Sequence, residues 1–192
     1  MARYPKAQWI PSSAENYRQG RTQPVTELVI HTTEGSNVEA LHTWLTAPSE
    51  PDLSVHFAVD QAGNVYQYVD TDDTAYHARS HNSFSVGIEH VGFAGDPSTW
   101  TSEMVEASAE LAAWINAQHP GIVLDEAHVV AHGSFQDDRT DPGPYFPWAN
   151  YLTRARGYRS GNFVASIFGG GRSSVVVVVV AALAIAMLWR SS

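Results

Sequence analysis

Short apolar runs and helix-period stripes take turns along most of the chain. "TELVIHTT", ending at His31 and Thr32, is a compact apolar run suited to a buried strand. "SNVEALHTWL" follows, with Ser36 three residues before Glu39 as a capping box and Val38, Leu41 and Leu45 on one face, which predicts a helix. "SVHFAVDQAGNVYQYV" alternates apolar and polar positions on both sides of "AGN" and predicts a hairpin joining Val55–Val59 to Val65–Val69. "FSVGIEHVG" is a further strand candidate. Met104, Ala107, Leu111, Trp114 and Ile115 recur at helical spacing between Thr101 and Gln118, and Pro120 with Gly121 stops that helix. "HVVAH" supplies the last core strand.

Strands mixed with two helices and a hairpin predict an α/β fold: a single domain built on a mixed central β-sheet flanked by helices. Residues 1–23 read as an irregular arm, because Pro5, Pro11 and Gly20 interrupt any period. Residues 24–155 form the expected domain, 156–174 a basic and glycine-rich linker ("FGGGRSS"), and 175–189 an uninterrupted apolar segment expected to be a membrane-associated or transmembrane helix. A length of 192 residues suits one core plus such a tail.

Charge and cysteine content narrow the chemistry. A formal net charge of -9 argues against nucleic acid as a partner, since phosphate-backbone binders display a basic face. With no cysteine, any zinc site must use histidine and carboxylate ligands. The N-terminal stretch has no apolar core ahead of a small-residue cleavage site, so no secretory signal is expected and the cytoplasm is the expected place of synthesis.

Among nine histidines, His31 and His132 share a context, each closing a short apolar strand candidate. If those strands are neighbours, both imidazoles emerge on one rim of the sheet. Asp141 follows His132 in "DDRTDPGPYFPW", where Pro142 restricts its backbone and stiffens the loop. Two imidazoles and one carboxylate make three corners of a tetrahedral zinc site, with the fourth open to water. Hydrolysis there needs a carboxylate to move protons, and Glu89, set among apolar neighbours in "SVGIEHVG", is the candidate. Plainer readings stand beside these: histidines at strand ends, a turn aspartate before proline, a strand glutamate paired at the surface. His56, on a strand near the proposed cleft, competes as a ligand. His42, His81, His90, His119 and His128 read as structural or exposed.

"VIHTTEG", "YHARSHNSFSVGIEHVG" and "VVAHGSFQDDRTDPGPYFPW" occur in an order that resembles the type 2 zinc N-acetylmuramoyl-L-alanine amidases, which share a fold with the peptidoglycan recognition proteins. The likeness runs from about Pro24 to Arg154, and the opening "ARYPKAQWIP" resembles amidase endolysins of phages that infect actinobacteria. The resemblance implies cleavage of the amide between N-acetylmuramic acid and L-alanine in peptidoglycan. It places the Zn2+ ligands on His31, His132 and Asp141 and the catalytic glutamate on Glu89. An oxyanion-stabilising base falls on Arg139, where lysine is more usual, and a cleft-lining, substrate-binding histidine falls on His77. Two other functions fit the same residues: a receptor that binds peptidoglycan without cutting it, and a zinc hydrolase of this fold acting on a different amide.

As a helix, Val175–Trp189 spans about 22 Å, short of the roughly 30 Å hydrocarbon layer, so crossing requires local thinning or snorkelling by Arg172 and Arg190. Arg154, Arg156, Arg159 and Arg172 precede the run and only Arg190 follows it, so the positive-inside rule keeps the domain on the cytoplasmic side. Peptidoglycan lies on the other side. The expectation is an endolysin held at the inner face of the host membrane until that membrane is breached.

Overall fold

The structure, a computed structural model, describes residues 2–48 and 53–161. The apolar segment 175–189, and the linker beyond residue 161, lie outside the described residues. Among the described residues no helix is long and apolar enough to cross a membrane.

Among the described residues, eight strands and three α-helices follow one another as β1 (Gln8–Trp9), β2 (Tyr17–Arg18), β3 (Glu27–Thr32), α1 (Val38–Thr46), β4 (Phe57–Val59), β5 (Val65–Gln67), β6 (Thr74–Ala75), β7 (Ser85–His90), α2 (Ser102–Gln118), β8 (Val129–Ala131) and α3 (Trp148–Arg159). Six strands form one mixed sheet in the order β1-β5-β4-β7-β3-β8, and β2 pairs with β6 in a small antiparallel ribbon. Strands β4, β7, β3 and β8 run parallel, while β5 turns back antiparallel on β4 as the alternation around "AGN" requires.

Side chains alternate between the two faces of the sheet. Leu28 and Ile30 of β3, Phe57 and Val59 of β4, and Val86 and Ile88 of β7 share one face and pack with Met104, Leu111 and Ile115 of α2 and Tyr151 and Leu152 of α3. Ala109 and Ala112 are small buried positions of α2 in the same core cluster as Tyr151, Leu152 and Ala155 of α3. The opposite face carries His31, Gly87, Glu89 and Ala58. There Ala58, Tyr68 and Val91 pack with Leu41 and Leu45 of α1. The intervening residues on one strand thus build the core while their neighbours build a polar rim.

Three local expectations change. The N-cap of α1 is Asn37, whose Oδ1 accepts from Ala40 N at 3.0 Å, one residue later than the box expected at Ser36. Residues 1–23 are not simply irregular: β1 lies parallel to β5, Ile10 N donates to Gln67 O, Ser12 N donates to Tyr68 O, and β2 closes on β6. Two-residue strands carry no readable period, so only pairing reveals them. A third helix, α3, runs to Arg159 and so enters the span 156–174 read as a linker. Arg156 Nε donates to Leu124 O and Arg159 Nε to Asn116 Oδ1, which fixes the last turn. Its arginines read as linker charge when the helix surface they cover is out of sight.

Candidate functional site

Parallel pairing of β3 with β8 decides the site. Ile30 stands opposite Ala131 in the register, so His31 on β3 and His132, the residue just past the end of β8, leave the sheet side by side. His132 opens a single 3-10 turn, His132–Ser134, and the chain then loops back until Gly133 N donates to Asp141 O at 2.9 Å. Gly133 permits this closure, because a Cβ there would come within 2.8 Å of Arg139 O. The loop delivers the Asp141 carboxylate between the two rings; the Asp141–Pro142 bond is cis.

Three atoms converge. His31 Nδ1 lies 3.0 Å from His132 Nδ1, and Asp141 Oδ2 lies 3.1 Å from each. All three side chains are buried. This is the one group of His, Cys, Asp and Glu side chains among the described residues whose ligand atoms close on a common point. Burial lowers the His31 pKa and His132 lowers it further, against Asp141. For Asp141 burial pushes the carboxyl up, but the contacts from His132 and His31 outweigh it and hold the group well below the usual carboxylate range. Two imidazoles and one carboxylate therefore face one another, a donor set that suits a divalent cation.

Glu89 stands directly across from His31 in the β3–β7 register and from Ala58 in the β4–β7 register, on the same face of the sheet. Its Oε2 is sealed from solvent and has no hydrogen-bond partner. Burial, with the charge of Asp141 added, raises its pKa from 4.5 to about 8, opposed by Arg139. An unpartnered acid in that range can exchange protons near neutral pH. Beside the cluster, Leu53, Tyr76, His77, Arg79, Arg139 and neighbouring residues enclose a cavity of about 370 Å³ that reaches His132. Arg139 is exposed at its wall.

A sequence profile described as N-acetylmuramoyl-L-alanine amidase matches residues 21–144. The chain belongs to this amidase family. Over 170 residues it is 35% identical to N-acetylmuramoyl-L-alanine amidase A of Achromobacter lyticus, covering 79% of this chain and 94% of that protein. It is 29% identical over 125 residues to the 1,6-anhydro-N-acetylmuramyl-L-alanine amidase AmpD of Haemophilus influenzae, covering 60% and 66%. In fold it is similar to a selenomethionine AmpD derivative, with a TM-score of 0.66 at 24% identity over 79% of this chain and 96% of that one. The catalytic domain of XlyA gives a TM-score of 0.61 at 22% identity over 77% and 97%. The cluster thus sits in an enzyme of the amidase family.

The sequence-predicted residues come together: His31, His132 and Asp141 in the cluster, Glu89 across the register, His77 and Arg139 on the cavity. His56 does not join them. Its ring is buried beneath the site, where Nδ1 accepts from Gly87 N at 3.0 Å and Nε2 lies 2.8 Å from Arg21. His90 is equally committed, to Ser108 Oγ and His31 O on the core side. Sequence reasoning passed over Gln136 and Ser85, which touch His132 and His77. The only signal for Gln136 was its place four residues after His132 in a loop already under suspicion.

Proposed function

We propose that the chain is a zinc-dependent N-acetylmuramoyl-L-alanine amidase that hydrolyses the amide joining N-acetylmuramic acid to L-alanine in peptidoglycan. The observation that carries this is the triangle of His31 Nδ1, His132 Nδ1 and Asp141 Oδ2, with edges of 3.0, 3.1 and 3.1 Å. Ligands about 2.0–2.1 Å from zinc in a tetrahedron stand roughly 3.3–3.4 Å apart, so the donor set fits that ion with small adjustment. Two nitrogens and one oxygen, beside a cavity that His132 also lines, make the donor set of a hydrolytic site. The chemistry a zinc ion supplies when bound is Lewis acidity toward water and toward the scissile carbonyl.

The chain's own residues supply the rest. Glu89, raised to about 8 by burial, takes a proton from the attacking water and returns it to the leaving amine nitrogen of L-alanine. Arg139, on the cavity wall, places a fixed positive charge toward the oxygen on which negative charge develops. His77 lines the cavity at the substrate end. The relatives named as amidases support the reaction class. The resemblance of the opening "ARYPKAQWIP" to amidase endolysins supports a role in host lysis by a phage. The apolar run 175–189 supports attachment of that lysin to the inner membrane face until breach.

Metal analysis of the purified chain beside mass spectrometry of digested cell wall tests the reading. The expected result is about one zinc per chain, lost in Asp141→Ala, and new lactyl carboxylates with free L-alanine amines. Zinc binding without those termini would leave a different amide as substrate, and no zinc together with undiminished cleavage would remove the metal from the mechanism. Sedimentation with membranes, compared with and without residues 163–192, tests the anchor.

A further inference from the structure

Two chains of hydrogen bonds end on the candidate metal ligands, and each has a direction that the chemistry of its far end dictates. The first starts at the carbonyl oxygen of His81, which can only accept. Ser85 Oγ, 2.7 Å away, therefore donates its hydrogen there. Only lone pairs of Ser85 Oγ remain for His77 Nε2 at 3.1 Å, so Nε2 carries the ring hydrogen. In a ring that donates from Nε2, Nδ1 is the nitrogen left with a lone pair. That lone pair faces His31 Nε2 at 3.0 Å, so His31 Nε2 donates. His31 Nδ1, on the far side of the ring, is left bare.

The second chain starts at Arg79, whose guanidinium can only donate. It forks onto Asp138, with contacts of 3.2 and 2.7 Å. Asp138 Oδ1 also accepts from Gln136 Nε2 at 3.2 Å, which fixes the amide so that Gln136 Oε1 points at His132 Nε2, 3.1 Å away. His132 Nε2 therefore donates and His132 Nδ1 is bare. Both polarities converge on one result: two nitrogen lone pairs and the Asp141 carboxylate, all acceptors, pressed within 3.1 Å of one another.

We propose that His77 and Gln136 are positioning residues that hold His31 and His132 in the one tautomer able to present Nδ1 to a metal ion. The proposal rests on the zinc reading above. It also accounts for features the reaction does not use. Gly87 lies beneath His77, where a Cβ would approach the ring nitrogen to 2.5 Å, so glycine is what lets the ring lie flat on β7 beside His31. Arg79 takes a left-handed backbone, φ 47°, in the short turn that aims its side chain at Asp138. That pair is exposed and contributes little stability, so its use is to orient Gln136. With both ring nitrogens committed inside the protein, His77 offers substrate only its carbon edge.

The test uses the full chain and zinc competition against a chromophoric chelator, with the visible spectrum of the cobalt-loaded protein as a second readout. His77→Phe keeps the ring volume and removes the acceptor, whereas His77→Asn restores an acceptor near the position of Nδ1. Gln136→Leu and Gln136→Glu do the same for His132. Loss of an outer partner of a metal-bound histidine weakens binding roughly 10–100-fold. The Phe and Leu variants are expected to fall in that range with altered cobalt absorption, and the Asn and Glu variants to recover most of the affinity. Equal zinc affinity in wild type and in His77→Phe and Gln136→Leu would overturn the assignment, as would equal losses in the rescuing variants. Failure of the wild-type chain to bind either metal would sink the zinc reading itself, a distinguishable result.

Discussion

Glu89→Gln separates the electrostatics of the site from its chemistry. Unfolded, the Glu89 carboxyl ionises near 4.5; folded, burial and Asp141 raise it to about 8. Below pH 4.5 the group is protonated in both states and contributes nothing to the pH dependence of stability. Between 4.5 and about 8 the unfolded chain releases the proton and the folded chain keeps it, so stability falls as pH rises. Above 8 the full cost of a buried carboxylate is present. The gap of roughly 3.5 pH units, at about 1.36 kcal/mol per unit, sets an upper bound of about 5 kcal/mol, reduced because Glu89 as a whole residue is only partly buried. Glutamine removes this slope, and any change in packing it introduces is independent of pH. Urea unfolding of metal-free wild type and Glu89→Gln at pH 5 and pH 9 reads the difference directly. The advantage of the variant is expected to grow by about 2–4 kcal/mol across that range. Parallel curves would refute the desolvation of this carboxyl, and with it the account of its proton affinity. In the zinc-loaded enzyme the same variant is expected to keep its metal and lose about 10²–10⁴ in turnover. Undiminished turnover would take Glu89 out of the mechanism.

Metal removal is expected to lower the unfolding temperature, and zinc at 100 times its dissociation constant to restore about 2.7 kcal/mol, as read by thermal melts with a chelator and then with excess zinc. Asp141→Ala should show no such zinc-dependent shift. Arg139→Ala is expected to reduce kcat about 10–10³-fold with zinc affinity nearly unchanged, and Arg139→Lys to recover part of it; an unchanged kcat would mark Arg139 as a solvated loop charge. Ile115→Ala, deep between α2 and the sheet, is expected to cost about 2–5 kcal/mol in urea unfolding with zinc affinity retained, which checks that core and site are separable.

The sequence by itself determined where the core strands and two of the helices lie, because their periods are strong. "TELVIHTT" became β3 and "FSVGIEHVG" became β7. The Met104–Ile115 stripe became the buried face of α2. It also supplied the short set of chemistry-bearing residues, since histidines ending apolar strands and an aspartate held before proline are local patterns. Tertiary structure alone decided three matters. Which strands are neighbours is a long-range fact, and only the pairing of β3 with both β7 and β8 brings His31 against His132 and Glu89. The paired two-residue strands of the N-terminal arm and the helix α3 draw their stability from contacts distant in sequence, so no period announces them. The partners that orient the ligand rings, His77 and Gln136, are set by side-chain hydrogen bonds whose direction follows from an acceptor-only carbonyl at one end and a donor-only guanidinium at the other. Local composition encodes which groups are present; only the folded geometry assigns where each proton lies.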